Sequence, residues 1–146
     1  ALVDGYHVGQ FSEKFQQLKN IILESVGEEG KVLTDVLPSL ELVIGTQPDV
    51  PEIGGIEAQN RFNYVFRKFV SAISTKEHPI ALFIDDLQWA DSSSLSLLFY
   101  LITDQNNGYL FCIGAYRDNE VSPSHPLMIS IEDIEKDISD HVKCDH

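Results

Sequence analysis

The sequence predicts an α/β fold in which two parallel β-strands, near residues 79–85 and 109–116, are flanked by α-helices. Three observations carry this. The apolar runs Ile80–Ile84 and Tyr109–Ala115 lack polar alternation, as expected for parallel strands covered on both faces. Between them Leu95, Leu98, Phe99 and Ile102 step by three and four, as a helix requires. Both runs end in charge, the first at Asp85 and Asp86, the second at Arg117. Strand, helix, strand in that order makes a right-handed β-α-β unit with its strands parallel.

The remaining elements follow in chain order. Phe11, Phe15, Leu18, Ile22 and Val26 give an amphipathic helix with one core face, broken by Gly27-Glu-Glu-Gly30. Val32, Leu33, Val36 and Leu37 suggest a short helix ending near Pro38, and Leu40 to Ile44 a further turn. Gly45 to Gly55 carries two prolines and three glycines and reads as a loop. From Glu57 a strong helix returns through Phe62, Val65, Phe66, Phe69, Val70 and Ile73. Lys76 to His78 form a turn, and Pro79 suits a strand start, where its missing N–H matters least. Asp91 is a good N-cap for the helix of Leu95. Asn106-Asn107-Gly108 is a turn, Arg117 to Pro126 a polar loop, and Leu127, Ile131, Ile134 and Ile138 mark a closing helix. One partial domain is expected over residues 1–146, with a helical segment at about 9–76 and a β-α-β-α segment at about 77–142.

Composition narrows the function. The chain has 146 residues, of which 43% are hydrophobic, enough for a modest core. Ten basic against 23 acidic residues give a formal net charge of −13, which argues against a nucleic-acid surface. The same charge disfavours a polyanionic ligand unless a metal and local cations accompany it. Cys112 and Cys144 form no disulfide framework, so a reduced, cytoplasmic setting is expected. No secretory signal and no run long enough to span a bilayer is present, so no membrane partner is expected. The chain does not begin with Met, which suggests a fragment or a processed product.

Ligands of parallel sheets sit outside the strands' carboxyl ends, which is where Asp85, Asp86 and Arg117 fall. A buried strand that delivers carboxylates at its tip is the build of a Walker B element, in which an aspartate holds Mg²⁺ beside a nucleotide phosphate. Asp85 would hold the metal, directly or through its water ligands. Asp86 could polarise an attacking water. The plain alternative is an acidic turn after a buried strand. Arg117 could fork onto γ-phosphate oxygens; equally, it could pair with Asp118, Glu120 or the Asp85–Asp86 cluster. Gly30-Lys31 imitates a phosphate loop but fails the pattern G-x-x-x-x-G-K-[ST]: Ser25 stands in the first position, Val32 in the last, and Glu28 and Glu29 would repel phosphate. Trp89 reads as a packing anchor at the strand-to-helix corner. His141, Cys144 and His146 form a weak Zn²⁺ pattern on a terminal tail.

On these residues the chain resembles a family, the AAA/STAND-type predicted ATPase domain of hybrid sensor histidine kinases and serine/threonine kinases. The stretches that carry the resemblance are Asp35-Val-Leu-Pro-Ser-Leu-Glu-Leu-Val-Ile-Gly45, Glu57-Ala-Gln-Asn-Arg-Phe62, Lys76-Glu-His-Pro79, Leu82-Phe-Ile-Asp-Asp-Leu-Gln-Trp-Ala-Asp91 and Ile113-Gly-Ala-Tyr-Arg-Asp-Asn-Glu-Val-Ser-Pro-Ser-His-Pro-Leu127. The resemblance implies a partial P-loop NTPase fold that uses ATP and Mg²⁺. In it Asp85 would be the Walker B acid, Asp86 the catalytic-acid position and Arg117 the sensor. It also implies that the strand feeding the Walker A phosphate loop precedes these residues, so the chain is expected to be a middle piece of the domain, without that loop. Its partners would then be ATP, the rest of the domain and kinase-type signalling domains, with self-association through open strand edges. The reading set against this one is a non-catalytic interaction fragment, or a gene-model remnant, that binds no nucleotide.

Overall fold

A computed structural model describes residues 3–144. The chain divides into two compact units, Ala1–Ile73 and Ser74–His146.

The first unit is helical: α1 (Val3–Val26), α2 (Gly30–Val36), α3 (Glu41–Ile44) and α4 (Gly55–Ile73), with single 3₁₀ turns at Gly27–Glu29 and Pro38–Leu40. α1 stops where Gly27 takes a left-handed φ of 57°, a conformation without penalty for glycine. α2 stops before Pro38, because the residue ahead of a proline is pushed out of helical geometry; Leu37 has φ −121° and ψ 74°. Ile22, Val26, Leu33, Ile44 and Val65 make the core, and Phe62, Phe66, Phe69 and Ile73 of α4 pack against it. Leu33 and Val65 are completely buried. The Ser25 hydroxyl donates to the Lys68 carbonyl at 2.7 Å and ties α1 to α4. The apolar face expected along α1 is buried only toward its end: Ile22 and Val26 are in the core, while Leu18 is 42% exposed. The Phe11 side chain lies outside the described residues.

The second unit holds β1 (Ile80–Ile84), α5 (Ser92–Ile102), β2 (Leu110–Gly114) and α6 (Pro126–Cys144). β1 and β2 pair in parallel, in register from Ile80 with Leu110 to Ile84 with Gly114. Asp91 caps α5, its Oδ1 accepting the Ser94 N–H at 2.7 Å. Leu87, Leu95 and Leu127 form a small core joined by Ile84, Leu98, Val121 and Ile131.

Three expectations need correction. The strands are not covered on both faces: Phe83 is 62% and Phe111 65% exposed. The buried cluster gathers on the Ile84 side, and strict alternation sends Ala81 and Phe83 the other way. On α5 the buried residues are Leu95 and Leu101, and Ile102 is exposed, because the face runs through Leu98 to Leu101 rather than to Ile102. Trp89 does not anchor the corner. It stands 73% exposed in the 3₁₀ turn Leu87–Trp89, and Leu87 fills the corner instead.

The side chains of His141 and Cys144, and all of His146, lie outside the described residues. Among the described residues no helix is long and apolar enough to cross a membrane.

Candidate functional site at the carboxyl ends of the paired strands

β1 delivers Asp85 to solvent, where one carboxylate oxygen accepts the N–H of Asp86 at 2.8 Å. Asp86 then turns the chain with φ 56° and ψ 40°, the one positive-φ residue other than glycine among the described residues. Aspartate tolerates this left-handed region better than most residues, because its short polar side chain bonds locally. The turn leads into Leu87–Trp89, closed by the Trp89 N–H on the Asp86 carbonyl at 3.0 Å.

Past the strand ends the two segments remain stitched. The Ala115 N–H reaches the Ile84 carbonyl at 2.9 Å, and the Leu87 N–H returns to the Ala115 carbonyl at 3.0 Å. Gly114 leaves room beside this join for the Leu87 side chain. A Cβ at Gly114 would lie 2.5 Å from Leu87 Cδ1, far inside contact distance. The stitching brings Arg117 onto the same rim as the acids. Its guanidinium sits 3.3 Å from Asp86 Oδ1 and 3.0 Å from Glu120 Oε1. The hydrogen bond to Glu120, then the charge of Asp86, raise the Arg117 pKa, so the guanidinium stays charged. Asp91, one turn on, is held below the usual carboxylate range by the Ser94 N–H.

Gln88, two residues after Asp86, is buried inside this cluster at 6% exposure. Its Nε2 donates to Asp86 Oδ1 at 2.9 Å, and its Oε1 accepts the Arg117 N–H at 3.2 Å across 29 residues of sequence. Periodicity gave no reason to single out Gln88; only its place inside the acidic string could have drawn notice.

Asp85, Asp86 and Arg117 therefore share one end of the sheet, and Asp86 touches Arg117 while Asp85 faces solvent. The ion pairs weighed for Arg117 are present, with Glu120 and with Asp86. Two adjacent carboxylates supply oxygen donors at the rim. No cluster of three or more His, Cys, Asp or Glu among the described residues is arranged to hold a metal ion unaided.

Gly30-Lys31 has a structural role in the first unit. Gly30 opens α2 and leaves room for the Gln47 side chain, which donates to the Ile44 and Gly45 carbonyls at 3.1 Å each. Lys31 pairs with Asp35 one turn along at 2.9 Å, a contact that raises its pKa. Glu28 and Glu29 line an open cleft of about 360 Å³ with Asp49 and Arg61.

Comparison with known proteins adds to this geometry. The AAA ATPase domain family matches residues 4–113, from α1 into β2, a stretch that contains Asp85 and Asp86 and stops short of Arg117. A curated relative, hybrid signal transduction histidine kinase G of Dictyostelium discoideum, is 37% identical over 84 residues, which is 58% of this chain and 2% of the relative. The chain thus spans only a small part of that protein's length. No solved structure matches. With the family matched over most of its residues and two parallel strands of a P-loop NTPase-like α/β fold in place, the chain belongs to the AAA ATPase domain family.

Proposed function

We propose that this chain forms the Walker B and sensor half of an ATP-binding and hydrolysing switch domain in a cytoplasmic signal-transduction protein. One observation carries the proposal: Asp86 and Arg117, at the ends of different strands, meet at 3.3 Å on the rim where ligands of parallel sheets bind. The kinase identity of the relative supports the signalling setting.

The donor set fits Mg²⁺ that arrives with phosphate. Such a metal is bound through one or two carboxylates, with waters and phosphate oxygens completing the shell. Asp85 would hold it, directly or through water, with Asp86 beside it. When bound, the ion neutralises phosphate charge. Asp86 would orient the attacking water, and Arg117 would exchange its carboxylate partners for γ-phosphate oxygens. The rest of the domain and kinase-type domains of the parent protein are the proposed partners.

Titration calorimetry and phosphate-release assays test this. The 146-residue chain alone should bind Mg²⁺–ATP weakly at most and show no turnover. It contains no G-x-x-x-x-G-K-[ST] string, and its net charge is −13. The parent protein should hydrolyse ATP and lose that turnover in Asp85→Asn and in Arg117→Ala. Unchanged turnover in both variants would overturn the assignment. If the parent binds no nucleotide, the exposed face of Phe83 and Phe111 favours the second reading, a non-catalytic interaction module.

A further inference from the structure

We infer that Gln88 is a positioning residue that clamps the Asp86 carboxylate to the Arg117 backbone, so that the acid after β1 and the arginine after β2 respond as one unit. The inference deepens the proposed function and rests on the roles given there to Asp86 and Arg117.

The chemistry of the contacts fixes the orientation of the amide. A carboxylate only accepts and a backbone N–H only donates. The Nε2 end of Gln88 must therefore face Asp86, and the Oε1 end must face Arg117. The flipped amide would set oxygen against oxygen and N–H against N–H. Both bonds are therefore required together, and a single side chain reads both partners.

Burial separates this link from the direct ion pair. The Asp86 and Arg117 side chains are 46% and 59% exposed, so their contact is screened by solvent. Gln88 is 6% exposed, so its end of both bonds is sheltered and the bonds meet less competition from water than the ion pair does. The stitched backbone at Ile84, Leu87 and Ala115 holds the two loops close, but it touches neither functional side chain. Among the described residues Gln88 alone joins the acid's carboxylate to the arginine's main chain. Displacement of the Asp86 carboxylate alters the bond to Nε2, and the same rigid amide carries the change to the Arg117 N–H.

The test uses the 146-residue chain and ¹H–¹⁵N NMR, with no nucleotide present. Asp86→Asn should displace the Arg117 amide resonance in the native background and displace it clearly less in Gln88→Met, which keeps length but has neither polar end and leaves only the direct ion pair to carry the effect. In Gln88→Met the Arg117 amide should also exchange with solvent about three- to tenfold faster, as loss of one hydrogen bond implies. An Asp86→Asn displacement of equal size in both backgrounds, or unchanged exchange, overturns the clamp. If Gln88→Met does not fold, Gln88→Glu replaces it. That variant retains an acceptor for the Arg117 N–H but opposes two carboxylates, and should lower the melting temperature. Adding Asp86→Asn should restore it, because the amide then donates from the other side. Absence of rescue overturns the clamp equally. Neither readout involves ATP, so failure here leaves nucleotide binding untouched, and failure to bind nucleotide leaves the clamp untouched.

Discussion

Gly114→Ala puts the stitched corner under direct test. The added Cβ would lie 2.5 Å from Leu87 Cδ1 and 3.8 Å from Leu87 Cγ. Carbon atoms in ordinary contact sit about 3.5–4.0 Å apart, so the Leu87 methyl must retreat by about 1 Å. It has little room. Leu87 is 9% exposed, packs with Leu95 and Leu127, and its N–H is tied to the Ala115 carbonyl. Overpacking of this kind costs about 1–3 kcal/mol. Reduced freedom of the unfolded chain returns about 0.4–1 kcal/mol for Gly to Ala. The net expectation is a loss of about 0–2.6 kcal/mol. Leu87→Ala alone should cost about 2–5 kcal/mol through the cavity it leaves. The double variant removes the clashing methyl, so it should be less destabilised than the sum by about 0.5–3 kcal/mol. Urea unfolding of the four proteins gives these values, and faster exchange of the Leu87 and Ala115 amides should locate the damage. Strict additivity, or a Gly114→Ala protein more stable than the native one, would refute the close approach.

Two further outcomes are expected. Because Ser94 holds the Asp91 carboxyl below its ordinary value, the cap contributes fully above the unfolded aspartate pKa of about 3.9 and fades as pH falls through the lowered folded value. Asp91→Asn, which caps without titrating, should flatten that acid limb in thermal melts, and an unaltered pH profile would show that Asp91 contributes nothing there. Phe83→Thr with Phe111→Thr should leave stability within about 0.5 kcal/mol per exposed site and reduce self-association in size-exclusion chromatography; an unchanged elution profile would place any association elsewhere.

What the sequence revealed, and what it hid, divides along physical lines. Spacing alone located α4, because six apolar residues repeat at helical intervals and the core takes them. The acid and arginine at the strand ends were visible because topology fixes which end of a parallel strand carries them. The Asp91 cap was visible because capping is local chemistry. Coverage was not legible. Phe83, Phe111, Ile102 and Trp89 are apolar, but nothing in a run of apolar residues says whether another element lies over it. Gln88 was hidden for a different reason. Its importance comes from a partner 29 residues away, and a lone glutamine has no period. Gly114 was hidden likewise, since a close approach is a property of two loops rather than of one.

Burial also divides the site into a fixed and an exchangeable part, and the division suits a sensor. The Arg117 backbone is held by the Gln88 amide, out of solvent, while its guanidinium rests on Asp86 and Glu120 at the surface. Surface ion pairs contribute little, so exchanging a carboxylate for a phosphate oxygen requires little net work. A guanidinium fixed by buried partners would resist that exchange, and one on an unpinned chain would lose orientation when released. The left-handed turn at Asp86 belongs to the fixed part: it aims the carboxylate at both Gln88 and Arg117, and a residue without a local side-chain bond would resist that conformation. The proposed switch therefore needs no large rearrangement at its resting site. It needs only that the surface partners of one arginine be replaced while its main chain stays where Gln88 holds it.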